Sequence, residues 1–310
     1  MTDKALTSHD ASSSGLGAWL RAPVPASPFH ARMQQLWLQW RRLRGNVSAL
    51  FGLVVILVIL LAALLAPLLA THDIFEQNLA RRLLPPSAEH WLGTDELGRD
   101  VYSRLLYGAR ITLYIALLTT VIVAPIGLLV GTSAGYLGGW VDTVLMRIVD
   151  VFLAFPNLIL ALAFVAALGP GIQNAVIAIS LASWPPIARL ARAETLTIRK
   201  SDYIAAVRLQ GASKSRIIFG HIMPMCIPSV VVRVTLNMAA IILTAAGLGF
   251  LGLGAQPPSP EWGTMLSSGR EFVMTSWWIA AIPGCAILLT SLAFNLFGDG
   301  LRDILDPRHG

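Results

Sequence analysis

Charge is scarce in this chain of 310 residues: Asp, Glu, Lys and Arg together make up 13%, about half the share of an ordinary soluble domain. That scarcity excludes a disordered polar chain and a nucleic-acid-binding domain, both of which carry far more charge. Cysteine is nearly missing. Cys226 and Cys285 lie far apart in or beside apolar runs, so no disulfide framework or CxxC site is implied. The three lysines, Lys4, Lys200 and Lys214, lack the preceding glycine of a Gly-x-x-x-x-Gly-Lys-Ser/Thr loop, so ATP hydrolysis by that route must come from a partner. The six histidines, His9, His30, His72, His90, His221 and His309, show no HExxH or His-Cys spacing, and no metal ligands are predicted.

What is present is apolar: Ala, Val, Ile, Leu, Met and the aromatics with Cys reach 55%. Residues 45–71 and 111–141 carry no Asp, Glu, Lys or Arg. The run from Val151 to Ala188 is too long for one crossing and is divided at Gly169-Pro170-Gly171. Ile217–Gln256 contains one charge, Arg233, and Phe272–Gly298 ends at Asp299. With about 20 apolar residues needed per crossing, six membrane helices are predicted at 49–70, 111–134, 142–168, 173–190, 227–251 and 276–297, an all-α integral membrane protein.

The basic residues set the orientation. Sixteen Lys and Arg fall with the termini and the 190–226 loop, six (Arg81, Arg82, Arg99, Arg104, Arg110 and Arg270) fall on the other side, and Arg233 completes the 23. Both termini are therefore placed in the cytoplasm. The net charge of +6 records this asymmetry and is not a nucleic-acid footprint. The first span is too long for a signal-peptide core and is read as retained. Residues 1–35 read as a disordered cytoplasmic tail, and 299–310 as a cytoplasmic tail. Over 36–48, Leu36, Trp37, Trp40 and Leu43 recur at helical spacing beside Arg41, Arg42 and Arg44. Both an amphipathic surface helix and a frayed extension of the first span fit that pattern.

Three segments outside the spans carry specific information. In the outer segment 71–110, Thr94 or Asp95 is a candidate helix cap, with Leu97, Val101, Leu105 and Ile111 as an apolar stripe. Asp95, Arg99 and Asp100 sit at pairing distance along that helix, which favours a structural role over substrate binding. In the loop 190–226, Asp202 is a candidate cap for a helix ended by Gly211, followed by a second short helix, Lys214–His221, before Pro224. Two short helices at an angle can form a knob that enters a partner's groove, but on these residues alone a solvated loop is the preferred reading. The third segment, Gly247–Gly263, is a Gly- and Pro-rich turning loop with Trp262 suited to the membrane interface.

Gly131-Thr132-Ser133-Ala134-Gly135 matches G-x-S-x-G, but it lies at the end of a helix, so Gly127, Gly131 and Gly135 are read as a small-residue packing ridge and not a nucleophile elbow. Arg147 and Asp150, three apart, are expected to pair. Arg233, about 9 Å into a helix starting at Ile227, fits both a translocation path and snorkelling. Asn237 and Asn295 are weaker candidates for the same path.

The segment motifs resemble the second permease subunit of peptide-type ABC importers, the dipeptide and oligopeptide permease C family, from about Trp37 to Pro307. The similarity rests on Leu92-Gly93-Thr94-Asp95 with Gly98-Arg99-Asp100 and Ser103-Arg104, on Leu248–Pro258, and on Phe294–Asp303. The permeases' shared loop pattern is Glu-Ala-Ala, three residues, Gly, nine residues, then Ile-x-Leu-Pro. Here Ala205-Ala206-Val207, Gly211 and His221-Ile222-Met223-Pro224 occupy that frame, with Ala205 in place of Glu.

The resemblance implies a type I ABC importer permease fold in a bacterial inner membrane, with no catalytic residues and no cofactor bound by this chain. It also implies a coupling loop in which Tyr203, Ala205, Ala206, Arg208, Leu209, Gly211 and Pro224 face an ATPase. The implied partners are a paralogous B-type permease, two cytoplasmic ATPases that use ATP and Mg2+, a periplasmic peptide-binding protein and the lipid bilayer. Dipeptides are the favoured substrate, with oligopeptides, D-amino-acid dipeptides, glutathione and nickel as alternatives. An ion-coupled secondary transporter would instead need acidic residues near the midplane, and no Asp or Glu lies at a helix centre.

Overall fold

The computed structural model describes Trp19 and residues 27–305, and in these the regular structure is helical. Helix α1 (Pro28–Gly45) starts at the Ser27 cap, whose side chain accepts from the His30 N–H, and Pro28 opens the first turn, where no donor is needed. The surface helix therefore begins eight residues before the expected 36, and residues 28–35 are helical, not part of a disordered tail; the rest of that expectation falls outside the described residues, Trp19 and Ser27 excepted. Asn46 ends α1 and caps α2 (Val47–Leu64), accepting from the Ala49 N–H at 3.0 Å. A short turn, Ala66–Leu69, closes this first span.

Helix α3 (Val101–Leu137) begins ten residues before the expected 111. Its 37 residues span about 55 Å, against roughly 30 Å of bilayer hydrocarbon. Helices α4 (Gly139–Leu153) and α5 (Asn157–Leu168) replace the single helix expected over 142–168, and they meet at 92°. Pro156 explains the break: it lacks a donor and pushes Phe155 away from helical geometry. Helices α6 (Ile172–Ser183) and α7 (Pro185–Ile198) likewise replace the expected 173–190, because Pro185-Pro186 can start a helix but cannot continue one. After the short α8 (Asp202–Leu209), α9 (Lys214–Phe250) runs 37 residues through a π turn at Ile218–Ile222. The separate helix Lys214–His221 and a span starting at 227 are thus one element. The π turn lies just ahead of Met223-Pro224, where the ladder loses a donor. Helices α10 (Trp262–Gly269) and α11 (Trp278–Leu305) complete the chain, so residues 299–305 are helical.

Six continuous crossings were expected. Among the described residues, α2, α3, α9 and α11 are each long and apolar enough to cross a membrane, and the bent α4–α5 pair can make a fifth.

Close approach of α3 to α7 organises the bundle. A methyl group on Gly127 would fall 2.7 Å from Ile187 Cβ, one on Gly135 would fall 2.7 Å from Thr195 Cβ, and one on Gly131 would collide with the Ala188 carbonyl. The three glycines thus form the ridge expected from their spacing, laid against α7. Helix α2 meets α11 similarly, since a methyl on Gly52 would lie 2.6 Å from the Ala293 carbonyl. Around these contacts one core joins α2, α3, α5, α6, α9, α10 and α11, a second lies beneath α8, and a small third joins Leu43, Ala49 and Ile304. Asp150 pairs with Arg189 of α7, Nη2 to Oδ1 at 2.6 Å, instead of the expected Arg147, because α4 lies beside α7.

At the end of the bundle away from α8, Glu261 caps α10. Its carboxylate accepts from the Gly263 N–H at 2.8 Å, the Thr264 N–H at 2.9 Å and the Thr264 hydroxyl at 3.1 Å. The side chain is buried, and burial pushes the carboxyl above its ordinary 4.5 despite those hydrogen bonds.

Two outcomes follow. Gly131→Leu is expected to lower the thermal midpoint and the yield of folded protein, costing at least about 1–3 kcal/mol because a backbone carbonyl cannot give way. Gly220→Ala, with open space around it, stays within about 1 kcal/mol of the parent; thermal unfolding in detergent compares them. A raised carboxyl in the folded state means that the stability contributed by Glu261 is fullest below pH 4.5 and is lost as pH rises through the raised value. Glu261→Gln is expected to flatten that fall in a series of unfolding scans across pH.

Candidate functional site

The chain between α7 and α9 is a short built structure, not a loose loop. Ser201, not Asp202, caps α8, and its hydroxyl also donates to the Ile198 carbonyl at 2.8 Å. At the other end the Ala212 N–H reaches the Val207 carbonyl at 3.4 Å and the Gly211 N–H reaches Arg208 at 3.0 Å. This paired closure needs the left-handed φ of +81° that Gly211 adopts. Ser213 then caps the start of α9.

Two side chains hold α8 down. Ile204 and Val207, three apart on one face, are buried against Ile187, Ala191, Ile217, Ile222 and Cys226. Opposite them Tyr203, Ala205, Ala206, Arg208, Leu209 and Gly211 are all exposed, and Leu209 keeps 90% of its surface. The Tyr203 hydroxyl meets His221 Nδ1 at 2.6 Å, and the Arg208 guanidinium sits 5.1 Å from the Tyr136 ring. Arg199 donates to the Gly135 carbonyl at 2.7 Å. The platform is thereby tied to the end of the α3 ridge. Six of the seven predicted loop residues share this surface; Pro224, also exposed, lies inside α9 and holds no loop end. Ser201, Ile204 and Tyr136 support the platform and were not singled out by the sequence; Val207 and His221 also support it and were named only as part of the shared loop pattern. The i, i+3 apolar pair was the available signal.

Arg233, Asn237 and Asn295 lie on the apolar helices α9 and α11. Arg233 and Asn295 are exposed and Asn237 is half-buried, and no hydrogen bond joins the three. Because α9 starts at Lys214, Arg233 lies about 28 Å along it, near the helix middle, and not one or two turns from its beginning. A cavity of about 390 Å³ is lined by α2 and α3 side chains with Met238, Thr290 and Phe294, and by none of these three residues.

At the opposite end, Gly93, Thr94, Asp95, Gly98, Arg99 and Asp100 form a compact knot in place of the expected helix. Asp100 is the cap of α3, accepting from the Ser103 N–H at 2.8 Å. Asp95 Oδ1 accepts from the Leu97 and Arg99 N–H groups, both at 2.9 Å, and Oδ2 pairs with Arg99 Nε at 2.7 Å. These local bonds satisfy the backbone in a turn, which is why helix does not begin until Val101. Arg104 reaches the same carboxylate at 3.5 Å and donates to the Ile74 carbonyl at 3.0 Å. Thr94 is fully buried, and its carbonyl accepts from the Trp278 indole at 3.3 Å, tying the knot to α11.

Known proteins share this architecture. The profile described as "Binding-protein-dependent transport system inner membrane component" matches residues 125–309, and that described as "N-terminal TM domain of oligopeptide transport permease C" matches residues 34–86. The dipeptide transport system permease protein DppC of Alkalihalophilus pseudofirmus is 44% identical over 93% of this chain and 96% of its own length. The probable D,D-dipeptide transport system permease protein DdpC of Escherichia coli is 46% identical over 86% of this chain and 90% of its own. The glutathione transport system permease protein GsiD of Pectobacterium atrosepticum is 46% identical over 87% and 90%. Among solved structures, an inward-facing MetNI methionine ABC transporter chain matches with a TM-score of 0.54 and 20% identity, over 65% of this chain and 96% of that one. The fold is that of a type I ABC importer permease, and the chain belongs to the binding-protein-dependent transport system inner membrane components, as a permease subunit of an ABC importer.

Proposed function

We propose that this permease imports dipeptides across the bacterial inner membrane, forming half of a pore with a paralogous B-type subunit. The observation that carries the coupling part of this reading is the α8 platform: an anchored helix whose exposed outer face offers Ala205, Ala206 and Leu209 beside Tyr203 and Arg208. Two cytoplasmic ATPases hold such helices in their clefts. When ATP and Mg2+ draw the ATPases together, the platforms move with them, and the rigid link from α8 through Arg199 to the α3 ridge passes the motion to the spans. A periplasmic binding protein delivers peptide to the opened pore, and hydrolysis resets it. The chain itself contributes no catalysis and no cofactor. Ala205, in place of the acidic residue of the family pattern, leaves docking to shape, through Ala206, Leu209 and Gly211.

The excess of basic residues at the α1 and α8 end supports a cytoplasmic location for both termini. Dipeptide specificity is supported by the dipeptide permeases among the relatives. Arg233, Asn237 and Asn295 line the path: polar groups near the middle of apolar helices, two of them exposed, face the partner subunit or the pore water in preference to lipid.

Leu209→Asp and Ala206→Trp alter only exposed surface. Each is expected to cut dipeptide uptake by about 30-fold, the loss of one interface hot spot, with membrane abundance unchanged; parental uptake in both variants would exclude docking through α8. Arg233→Ala is expected to reduce uptake at least about tenfold while the ATPases still co-purify, and Arg233→Lys to restore part of it. Parental uptake by Arg233→Ala would remove that residue from the path. Competition of labelled dipeptide uptake by glutathione and by a D-amino-acid dipeptide ranks the substrates, and failure of an unlabelled dipeptide to compete would reject the dipeptide assignment.

A further inference from the structure

The geometry points to a divalent-metal site in the segment between α2 and α3, formed by His72, Glu89 and His90. Each offers one ligand atom, and the three atoms lie within 4.8 Å of one another. The imidazoles face each other with ring centres 4.6 Å apart. Nothing in the spacing of residues 72, 89 and 90 announces this cluster; the fold assembles it.

The strongest indication is His90. Its side chain is buried, its Nδ1 lies 3.0 Å from Asp100 Oδ1, and its Nε2 is buried with no hydrogen-bond partner. The Asp100 carboxylate also accepts from the Ser103 N–H. An ionised carboxylate can only accept, so His90 donates from Nδ1, and the neutral ring then presents a bare lone pair at Nε2. A carboxylate behind an imidazole whose other nitrogen is free is the arrangement that orients histidine ligands on metals. An orphaned acceptor in a buried position is otherwise costly.

His72 is held to the same helical turn. The Thr71 and His72 N–H groups both donate to Ser103 Oγ at 3.1 Å, and His72 Nδ1 lies 2.9 Å from the Thr71 hydroxyl, leaving Nε2 to bind. The His90 backbone is fixed by its turn with Ser87, at 2.8 and 3.0 Å. Both imidazoles are therefore registered on the first turn of α3 through separate tethers. Glu89 supplies the third ligand by releasing Arg81, whose contact at 2.5 Å is an exposed ion pair and costs little to give up. Asp73, Glu76 and Asp100 border the same hollow against one cation, Arg81, so its net field favours a further cation. Two imidazoles and one carboxylate suit Zn2+ with a fourth position open, at nitrogen distances of about 2.0–2.1 Å reached by small side-chain rotations. Bound metal would cross-link the chain after α2 to the turn before the knot, fixing this segment on α3.

The test uses the full chain in detergent, purified without a histidine tag and stripped with EDTA. Equilibrium dialysis against Zn2+ with elemental analysis is expected to give one ion per chain with a Kd below about 10 μM, and a higher thermal midpoint with metal than without. His72→Ala with His90→Ala is expected to abolish saturable binding, and Glu89→Gln to weaken it by about tenfold or more. If the double variant does not fold, His72→Gln at the partly exposed position decides, with loss of binding expected. No saturable Zn2+ binding by the parent below about 100 μM, or parental binding by His72→Gln, overturns the assignment.

Discussion

Backbone contact between α3 and α7 is the constraint on which the rest depends. Gly127, Gly131 and Gly135 let α7 approach so closely that any side chain on the ridge would strike Ile187, the Ala188 carbonyl or Thr195. In lipid there is no hydrophobic gain from joining two apolar helices, so this fit and the dispersion contacts that follow from it hold the pair together. The last turn of the ridge then receives Arg199 on its carbonyl and Arg208 on the Tyr136 ring. The α8 platform is consequently a rigid extension of the spans. Arg192 adds to this end by gripping Asp142 with two hydrogen bonds at 2.5 and 2.7 Å, fixing α4 to α7.

The opposite end solves a different problem. Asp95, Arg99, Asp100 and Arg104 are buried, and removing one member of such a set typically costs about 3–5 kcal/mol by leaving its partner's charge uncompensated. Each carboxylate is therefore saturated: Asp95 by two backbone donors and two guanidinium groups, Asp100 by the α3 terminus and His90. The knot starts α3 at a fixed register, reaching α11 through Trp278 and the α10 region through Arg104 and the Pro258 carbonyl. The two ends of the bundle are thus held by unlike means, packing of small residues at one and a saturated polar cluster at the other.

Apolar run length made the membrane class and the regions of the spans legible, because a crossing needs about 20 apolar residues whatever surrounds it. Where helices start and stop was less legible. Pro156 and Pro185-Pro186 stood in plain view inside apolar runs, yet whether a proline kinks, ends or opens a helix depends on what satisfies the freed carbonyls. Lys214–His221 reads as a separate helix before Pro224, but the π turn lets α9 pass through. The exposed face of α8 was legible only through the resemblance of its loop pattern; the face that anchors it was not, since Ile204 and Val207 are buried only because α7 and α9 converge beneath them.

By itself the sequence determined a charge-poor, all-helical membrane protein with a basic end, a glycine ridge and a permease loop pattern, since each of these is set by local composition or spacing. Tertiary structure decided the rest. It turned a candidate helix over 94–100 into a polar knot, moved the α3 cap to Asp100, paired Asp150 with Arg189, and brought His72 to Glu89 and His90. The physical reason is common to all four: a charged or imidazole side chain takes the partner nearest in space, and for these residues the backbone path through an irregular turn or past a neighbouring helix fixes that partner, which helical spacing along the chain does not encode.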